Sequence, residues 1–299
     1  MKHSYCIADW VIDIDFVDEN QYIGPHLIPS FLPFVYNNDS GDKDKLFTLT
    51  VDNSLRPVPK NERKRIRVFD TGNGDTVVDR LHDGGYQYII RNTSGYDCAL
   101  LITNADFSEC RCAIAGNENM CCFGLNNALM LIFAFAGSFH DTLLIHASLV
   151  RNEGYGYAFI AKSGTGKSTQ VANWLRTIPG CDLMNDDNPI IRIHNGQPII
   201  YGSPWSGKTP CYRPVSAPLA AVTQIDRAPT NFVEKLAPIM AFGTFLPSCS
   251  AMKWEKGIYS RICDSVTAVV STTPIYVLHC TADPESAIVC HKTIRHGNF

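Results

Sequence analysis

Before about residue 120, apolar residues tend to recur at alternate positions. Val11-Ile12-Asp13-Ile14-Asp15-Phe16 and Leu46-Phe47-Thr48-Leu49-Thr50-Val51 carry this rhythm, and Tyr86–Arg91 and Ala99–Thr103 extend it. A period of two sends successive side chains to opposite faces, so these segments predict strands. Thr71-Gly72-Asn73-Gly74-Asp75 and Asp83-Gly84-Gly85 supply the turns between them. The pattern then changes. Leu125 to Ala136 is almost wholly apolar and predicts a buried helix. A strand is expected over Leu143–Val150, a turn at Asn152-Glu153-Gly154, and a second strand over Tyr157–Ala161. A short polar, glycine-bearing loop leads from there into a helix over Lys167–Thr177, which Pro179-Gly180 stops. Further on, Pro189–His194 and Gln197–Tyr201 flank Asn195-Gly196, the strongest short hairpin signal. Two antiparallel strands here differ from the alternating parallel strands and helices of a switch-type nucleotide hydrolase.

No internal repeat or low-complexity linker interrupts the chain. The pattern predicts an α+β or α/β protein of two domains, a β-rich one over residues 1–122 and a mixed-sheet one over 123–299. The length, 299 residues, agrees with about two domains. Hydrophobic residues at 45% against 18% charged exclude general disorder.

A net charge of −3 argues against a dedicated nucleic-acid binder, but it hides a split. Residues 1–141 hold 12 Lys/Arg against 19 Asp/Glu, and residues 142–299 hold 14 against 10. An acidic half joined to a basic half asks for an anionic ligand on the second. The five basic residues within Lys60–Arg67 read as a solvated strand or loop edge.

Asp9, Asp13, Asp15 and Asp18 follow the first residues with no intervening apolar run, so no secretory signal is expected. The longest apolar segment, Ala128 to Gly137, falls short of the ~20 residues that span a bilayer. The expectation is a cytoplasmic protein with no membrane partner and reduced thiols. Cys110-Arg111-Cys112 and Cys121-Cys122 match no zinc module, and the twelve cysteines read as buried or idle.

The chemistry concentrates in Ala161-Lys162-Ser163-Gly164-Thr165-Gly166-Lys167-Ser168-Thr169. This is the nucleotide phosphate loop G-x-x-x-x-G-K-[ST] with Ala161 in place of the first glycine. That position closes the turn without touching phosphate, so the change costs little. Backbone N–H groups around Gly164 and Gly166 can point into one concavity and hold phosphate oxygens. The positive end of the helix beginning near Lys167 reinforces them. Lys167 can reach the outer phosphates, and the Ser168 hydroxyl can ligate Mg²⁺.

Met184-Asn185-Asp186-Asp187-Asn188 follows the loop helix. A nucleotide–Mg²⁺ site needs a second element bearing carboxylates, since hard cations take oxygen ligands. One Asp can hold the ion while its neighbour accepts a proton from an attacking hydroxyl; on spacing alone, an ordinary Asp-Asp turn serves equally well. Gly202-Ser203-Pro204-Trp205-Ser206-Gly207-Lys208-Thr209-Pro210-Cys211-Tyr212-Arg213 forms a small, rigid, cationic loop suited to closing over an anion or acceptor. It can also be a plain Pro/Gly connection.

With these residues assembled, the chain from about residue 140 onward resembles the HPr kinase/phosphorylase catalytic domain. It is closer still to the HPr-kinase-like proteins found beside peptide-modification genes, and more distantly similar to the nucleotide-binding core of phosphoenolpyruvate carboxykinase. The resemblance rests on Leu144-Ile145-His146-Ala147-Ser148, Ser163–Ser168, Asn185-Asp186-Asp187 and Gly202–Gly207. It implies a phosphate-binding Lys167, a Mg²⁺ ligand in Ser168, Asp186 as the base, Asp187 toward the metal, and His146 near the transferred phosphate. It also admits a homo-oligomer. The sequence departs from the family at Ala161, and Trp205-Ser206-Gly207-Lys208 stands where HPr kinases carry a Glu-containing, Arg-rich segment. The second departure bears on the acceptor and on any phosphorylase activity.

The expected protein is therefore an ATP- and Mg²⁺-dependent kinase acting on a hydroxyl of a peptide, a protein or a small metabolite. Lys208 and Arg213 are candidates to stabilise the transferring phosphate. The alternatives are a nucleotide-binding sensor or scaffold, and a simple ATPase.

Overall fold

The structure, a computed structural model, describes residues 1–37, 43–162 and 164–295. Ser163 of the glycine-bearing loop lies outside the described residues. The chain forms two compact units, Met1–Ala136 and Gly137–Phe299. Both are mixtures of helix and sheet in which strands predominate.

The first unit contains β1 (Lys2–Ile7), β2 (Trp10–Phe16), β3 (Lys45–Val51), β4 (Arg63–Asp70), β5 (Asp75–Leu81), β6 (Tyr86–Arg91), β7 (Asp97–Thr103), β8 (Glu109–Ile114) and α1 (Glu118–Gly137). Among the described residues its strands form one sheet in the order β1-β2-β3-β8-β7-β6-β5-β4. The alternation read in the sequence is real here: Ile12, Ile14, Phe16, Leu49 and Leu101 are fully buried, while their neighbours include exposed or half-buried polar residues.

The basic run forms β4 at one edge of this sheet, largely exposed, yet it is not merely solvated. Arg63 and Arg65 both bind the carboxylate of Asp79, which is buried on β5.

The expected boundary at 122/123 falls inside α1, and the division lies after Ala136 instead. Gly124 explains why the helix goes with the first unit. A Cβ there would lie 2.6 Å from the Cys98 carbonyl oxygen, so only glycine lets α1 approach β7 this closely. Phe135 then meets Phe107 with ring centroids 5.5 Å apart. The helical segment Glu118–His140 is long and apolar enough to cross a membrane, unlike the shorter stretch expected from the sequence. Here 61% of its most apolar window is buried within the protein, which is how a core helix behaves.

The second unit contains β9 (Thr142–Leu144), β10 (Ala147–Asn152), β11 (Tyr155–Ile160), α2 (Lys167–Thr177), β12 (Asp182–Asp187), β13 (Ile190–His194), β14 (Gln197–Tyr201), β15 (Ser216–Arg227), β16 (Phe232–Lys235), α3 (Pro238–Phe245), α4 (Lys256–Thr272), β17 (Ile275–Cys280) and α5 (Glu285–Ile294). The hairpin at Asn195-Gly196 forms as read, with Ile190 opposite Tyr201 and His194 opposite Gln197. The strand expected over Leu143–Val150 is two strands. The chain leaves β9 at Ile145, His146 donates its N–H to the Ser248 carbonyl at 2.7 Å, and β10 starts at Ala147.

Helix α2 buries Gln170, Val171 and Trp174 on one face. With Asn173, also buried, these stand at i, i+1, i+3 and i+4, one face of the helix turned to the protein. Trp174 lies between Tyr157 and Phe159 of β11 and His291 of α5.

β11, β15 and β17 run parallel, and β10 runs antiparallel to both β11 and β12. The C-terminal ends of β11, β12, β15 and β17 and the start of β10 therefore share one edge of the sheet. That edge is where sheets with parallel strands present their ligand-binding loops.

Candidate functional site

The glycine-bearing loop leaves the end of β11 and enters α2. Gly164 and Gly166 both have positive φ, +76° and +133°, conformations that L side chains rarely adopt. No side chain caps the start of α2 among the described residues. A helix begun this way offers N–H groups and a positive dipole end to an anion.

Arg227, at the end of β15, holds the loop from behind. Its Nε donates to the Thr165 carbonyl at 3.0 Å and its Nη2 to the Gly164 carbonyl at 2.5 Å. With those oxygens drawn toward Arg227, the N–H groups of the same trans peptides point the other way. The Thr165 N–H closes a turn onto the Lys162 carbonyl at 3.1 Å.

In front of the loop, three expected residues meet in a chain. Lys167 Nζ lies 2.8 Å from His146 Nε2 and donates to the Ala161 carbonyl at 3.2 Å. His146 Nδ1 lies 3.0 Å from Asp187 Oδ1. An ammonium can only donate, so Nε2 accepts from Lys167 and the ring proton on Nδ1 goes to Asp187. Burial is the strongest effect on Lys167 and pushes its ammonium below the ordinary lysine range, against the pull of Asp187 and Asp186. Burial is also the largest single effect on Asp187 and opposes its charge. The His146 hydrogen bond, the attraction of His146 and Lys167 and a bond from Asn188 outweigh it, holding the carboxyl below its ordinary value.

The two aspartates lie on a strand, not a turn, and have different surroundings. Asp186 is 5% exposed, and both its carboxylate oxygens are engaged. Oδ1 accepts from the Ser148 hydroxyl at 2.8 Å, and Oδ2 accepts from the Thr209 N–H at 3.2 Å. Asp187 keeps a third of its side chain exposed and faces His146. Its φ of +149° is unusual for a residue with a side chain. The expected division of labour, Asp186 as base and Asp187 toward the metal, thus meets a nearly buried Asp186 and a more open Asp187, each with one hydrogen bond on each carboxylate oxygen.

The 202–213 loop is tied to β12 through Asn185, which is wholly buried. Its Nδ2 donates to the Trp205 carbonyl at 3.0 Å and to Ser203 Oγ at 3.2 Å, and its Oδ1 accepts from the Asn188 N–H at 3.0 Å. Gly207 donates its N–H to the Asp186 carbonyl, where an added Cβ would lie only 2.9 Å from that oxygen. Lys208 is exposed between Gly207 and Thr209, both bound to Asp186, so the backbone delivers it to the aspartates.

Arg213 does not join them. Its Nη1 donates to Asp182 Oδ2 at 2.7 Å and to the Leu183 carbonyl, at the opposite end of β12 from Asp187. Arg151 grips the same carboxylate with two hydrogen bonds. Burial opposes the charge of Asp182 most, but the two guanidinium groups hold its carboxyl below the ordinary range. The expected role of Arg213 on a phosphate gives way to this ion pair.

The residue types alone point to Lys167 and the aspartates, and the resemblance adds His146, but neither assigns a role to Ser148, Asn185 or Arg227. The polar Asn185, directly before the two aspartates, was the available signal for the buried hub. Nothing local marks Arg227, which lies more than sixty residues from the loop it holds.

No protein-family model and no curated protein matches the chain. Among solved structures, the chain is similar to the HPr(Ser) kinase/phosphatase from Coxiella burnetii. The identity is 10% and the TM-score 0.32, over 51% of this chain and 88% of that one.

Proposed function

We propose that the protein is an ATP- and Mg²⁺-dependent phosphotransferase acting on a hydroxyl group of a peptide, a protein or a small metabolite. The observation that carries this reading is the Lys167–His146–Asp187 chain beside an uncapped helix start. A donor-rich loop that cradles phosphate, a cation that reaches it and a carboxylate beside that cation are the parts phosphoryl transfer needs.

The N–H groups at the start of α2 would hold the phosphates of the nucleotide, with Lys167 turning from His146 to their outer oxygens. The hydroxyl of Ser168 is a hard oxygen donor suited to Mg²⁺, which takes few protein ligands when phosphates supply others. When bound, the ion would neutralise charge on the phosphates.

Asp187, the more exposed of the two carboxylates, would accept the acceptor's proton as the acceptor oxygen bonds to the γ-phosphorus and the bond to the β-phosphate oxygen breaks. His146 orients Asp187 through Nδ1, and Asp186 fixes the loop that carries Lys208. Lys208 supplies a point charge over the transferring group.

The test is transfer of labelled γ-phosphate from ATP into fractions of the source cell, with nucleotide binding measured in parallel. Lys167→Ala is expected to lose binding and transfer together. Asp187→Asn should retain binding within a few-fold and lose transfer by about 10²-fold or more. Wild-type transfer by Asp187→Asn would return the base to Asp186. Tight binding with no transfer to any fraction would favour the sensor, and hydrolysis without an acceptor the ATPase.

A further inference from the structure

The shared sheet edge has two flanks. His146 and the aspartates stand on the β10–β12 side of the glycine-bearing loop. On the β15–β17 side opens a cavity of about 320 Å³, bounded by the start of α2 and the ends of those two strands. Small-molecule sites run from roughly 300 Å³ upward.

The walls combine apolar surface from Ile225, Ala228, Cys280 and Ala282 with Gln170 and Arg227. Gln170 is the informative residue. It is 2% exposed, and its Oε1 lies 2.9 Å from the Ser286 hydroxyl, but its Nε2 has no hydrogen-bond partner among the described residues. A buried amide left unpaired is costly, so a group in this cavity that accepts from Nε2 gains what the protein forgoes.

Resting on the phosphate-loop reading above, we infer that this cavity receives the heterocyclic base of the nucleoside triphosphate and that Gln170 Nε2 donates to a ring nitrogen or carbonyl of that base. A flat ring is apolar on its faces and polar at its rim, which matches small apolar walls with one buried donor. The order of the strands supports the polarity of binding. The nucleotide would cross the loop with its terminal phosphate at Lys167 and Asp187 and its base beyond Arg227. Arg227 belongs to both places, since it lines the cavity and holds the Gly164 and Thr165 carbonyls. A base seated against it steadies the loop that grips the phosphates.

The experiment is calorimetric titration of the full chain with ATP, GTP and inorganic tripolyphosphate, each with Mg²⁺. Tripolyphosphate offers the phosphates without the base. The parent protein is expected to bind at least one of the nucleoside triphosphates about tenfold or more tighter than tripolyphosphate. Ala228→Trp, which narrows the cavity, should erase that advantage and leave tripolyphosphate affinity unchanged. Gln170→Leu, of similar size, should weaken the preferred nucleotide about fivefold or more and also spare tripolyphosphate. Thermal melts establish that each variant is folded.

Equal affinity of the parent for all three probes would overturn the base site while leaving the phosphate loop intact. So would parallel loss of nucleotide and tripolyphosphate in a folded Ala228→Trp, or unchanged nucleotide affinity in both variants. Lys167→Ala separates the two readings. Retention of ATP and tripolyphosphate binding in that variant would overturn the phosphate loop itself, and with it the base site.

Discussion

Asp187 is held in a conformation that its neighbours must enforce. A non-glycine residue at φ +149° costs of order 1–3 kcal/mol. The hydrogen bonds from His146 and Asn188, at 3.0 and 2.8 Å, act against that cost. They also set a pH dependence. The folded-state carboxyl titrates below its ordinary value, so its contribution to stability is present above the ordinary carboxylate range. That contribution is lost as pH falls through the depressed value. The melting-temperature gap between the parent and Asp187→Asn should therefore be widest near neutrality and shrink as the buffer is taken down to about pH 3. A gap constant over that range would mean that Asp187 is not held by charge. Lys167 acts in the opposite sense. Its lowered folded-state value makes its burial a cost at neutral pH that eases as pH rises toward the ordinary lysine range.

At the scale of elements, legibility followed the period of the pattern. Helix α2 lies at Lys167–Thr177 as read, because the glycine-bearing loop before it and Pro179-Gly180 after it agree. The Asn195-Gly196 hairpin is equally local. β12 was not legible as a strand. Asp182-Leu183-Met184-Asn185-Asp186-Asp187 has no strand-like alternation, and it is extended because it pairs with β10 along the sheet edge. Its polar side chains are there to build the site and not a core. The break at Ile145–His146 is also tertiary, set by Ser248 from a distant segment. Arg213 shows the converse error, since a cation in a plausible loop had a closer partner in Asp182. Asn185 gives this scale its prediction. Asn185→Ala would strip the loop of its main buried donor, leaving the Trp205 carbonyl with the Ser203 hydroxyl alone, at a cost of about 1–3 kcal/mol. Chemical denaturation should show that loss. Hydrogen exchange should show the 202–209 backbone, Thr209 N–H included, opening first. Uniform loss of protection across residues 137–299 would mean that Asn185 supports the whole unit and not the loop.

For the molecule as a whole, the uneven charge has two origins. In the second unit, Lys167 and Arg227 stand at the glycine-bearing loop, where an anion is expected, and Lys208 stands by the aspartates. In the first unit, part of the basic run neutralises one buried acid. Asp79 is 1% exposed, and it accepts from Arg63, Arg65 and, at 3.1 Å, Gln87 Nε2. Removing the acid leaves both guanidinium groups without their carboxylate, Arg63 mostly buried and Arg65 half exposed, at a cost below the ~3–5 kcal/mol of breaking a fully buried pair. Asp79→Ala should then destabilise the sheet of residues 1–136, with exchange protection lost first along β4, β5 and β6. Each unit has its own buried apolar set, and the second packs Trp174, Phe159 and Leu278 at its centre. Because the proposed nucleotide site lies wholly in the second unit, nucleotide affinity is expected to stay within about twofold of the parent at a temperature where Asp79→Ala remains folded. Calorimetry beside exchange mass spectrometry would measure both. A fall in nucleotide affinity that tracks the loss of protection in β4–β6 would show that the β-rich unit supports the site, and would give the acidic half a share in binding.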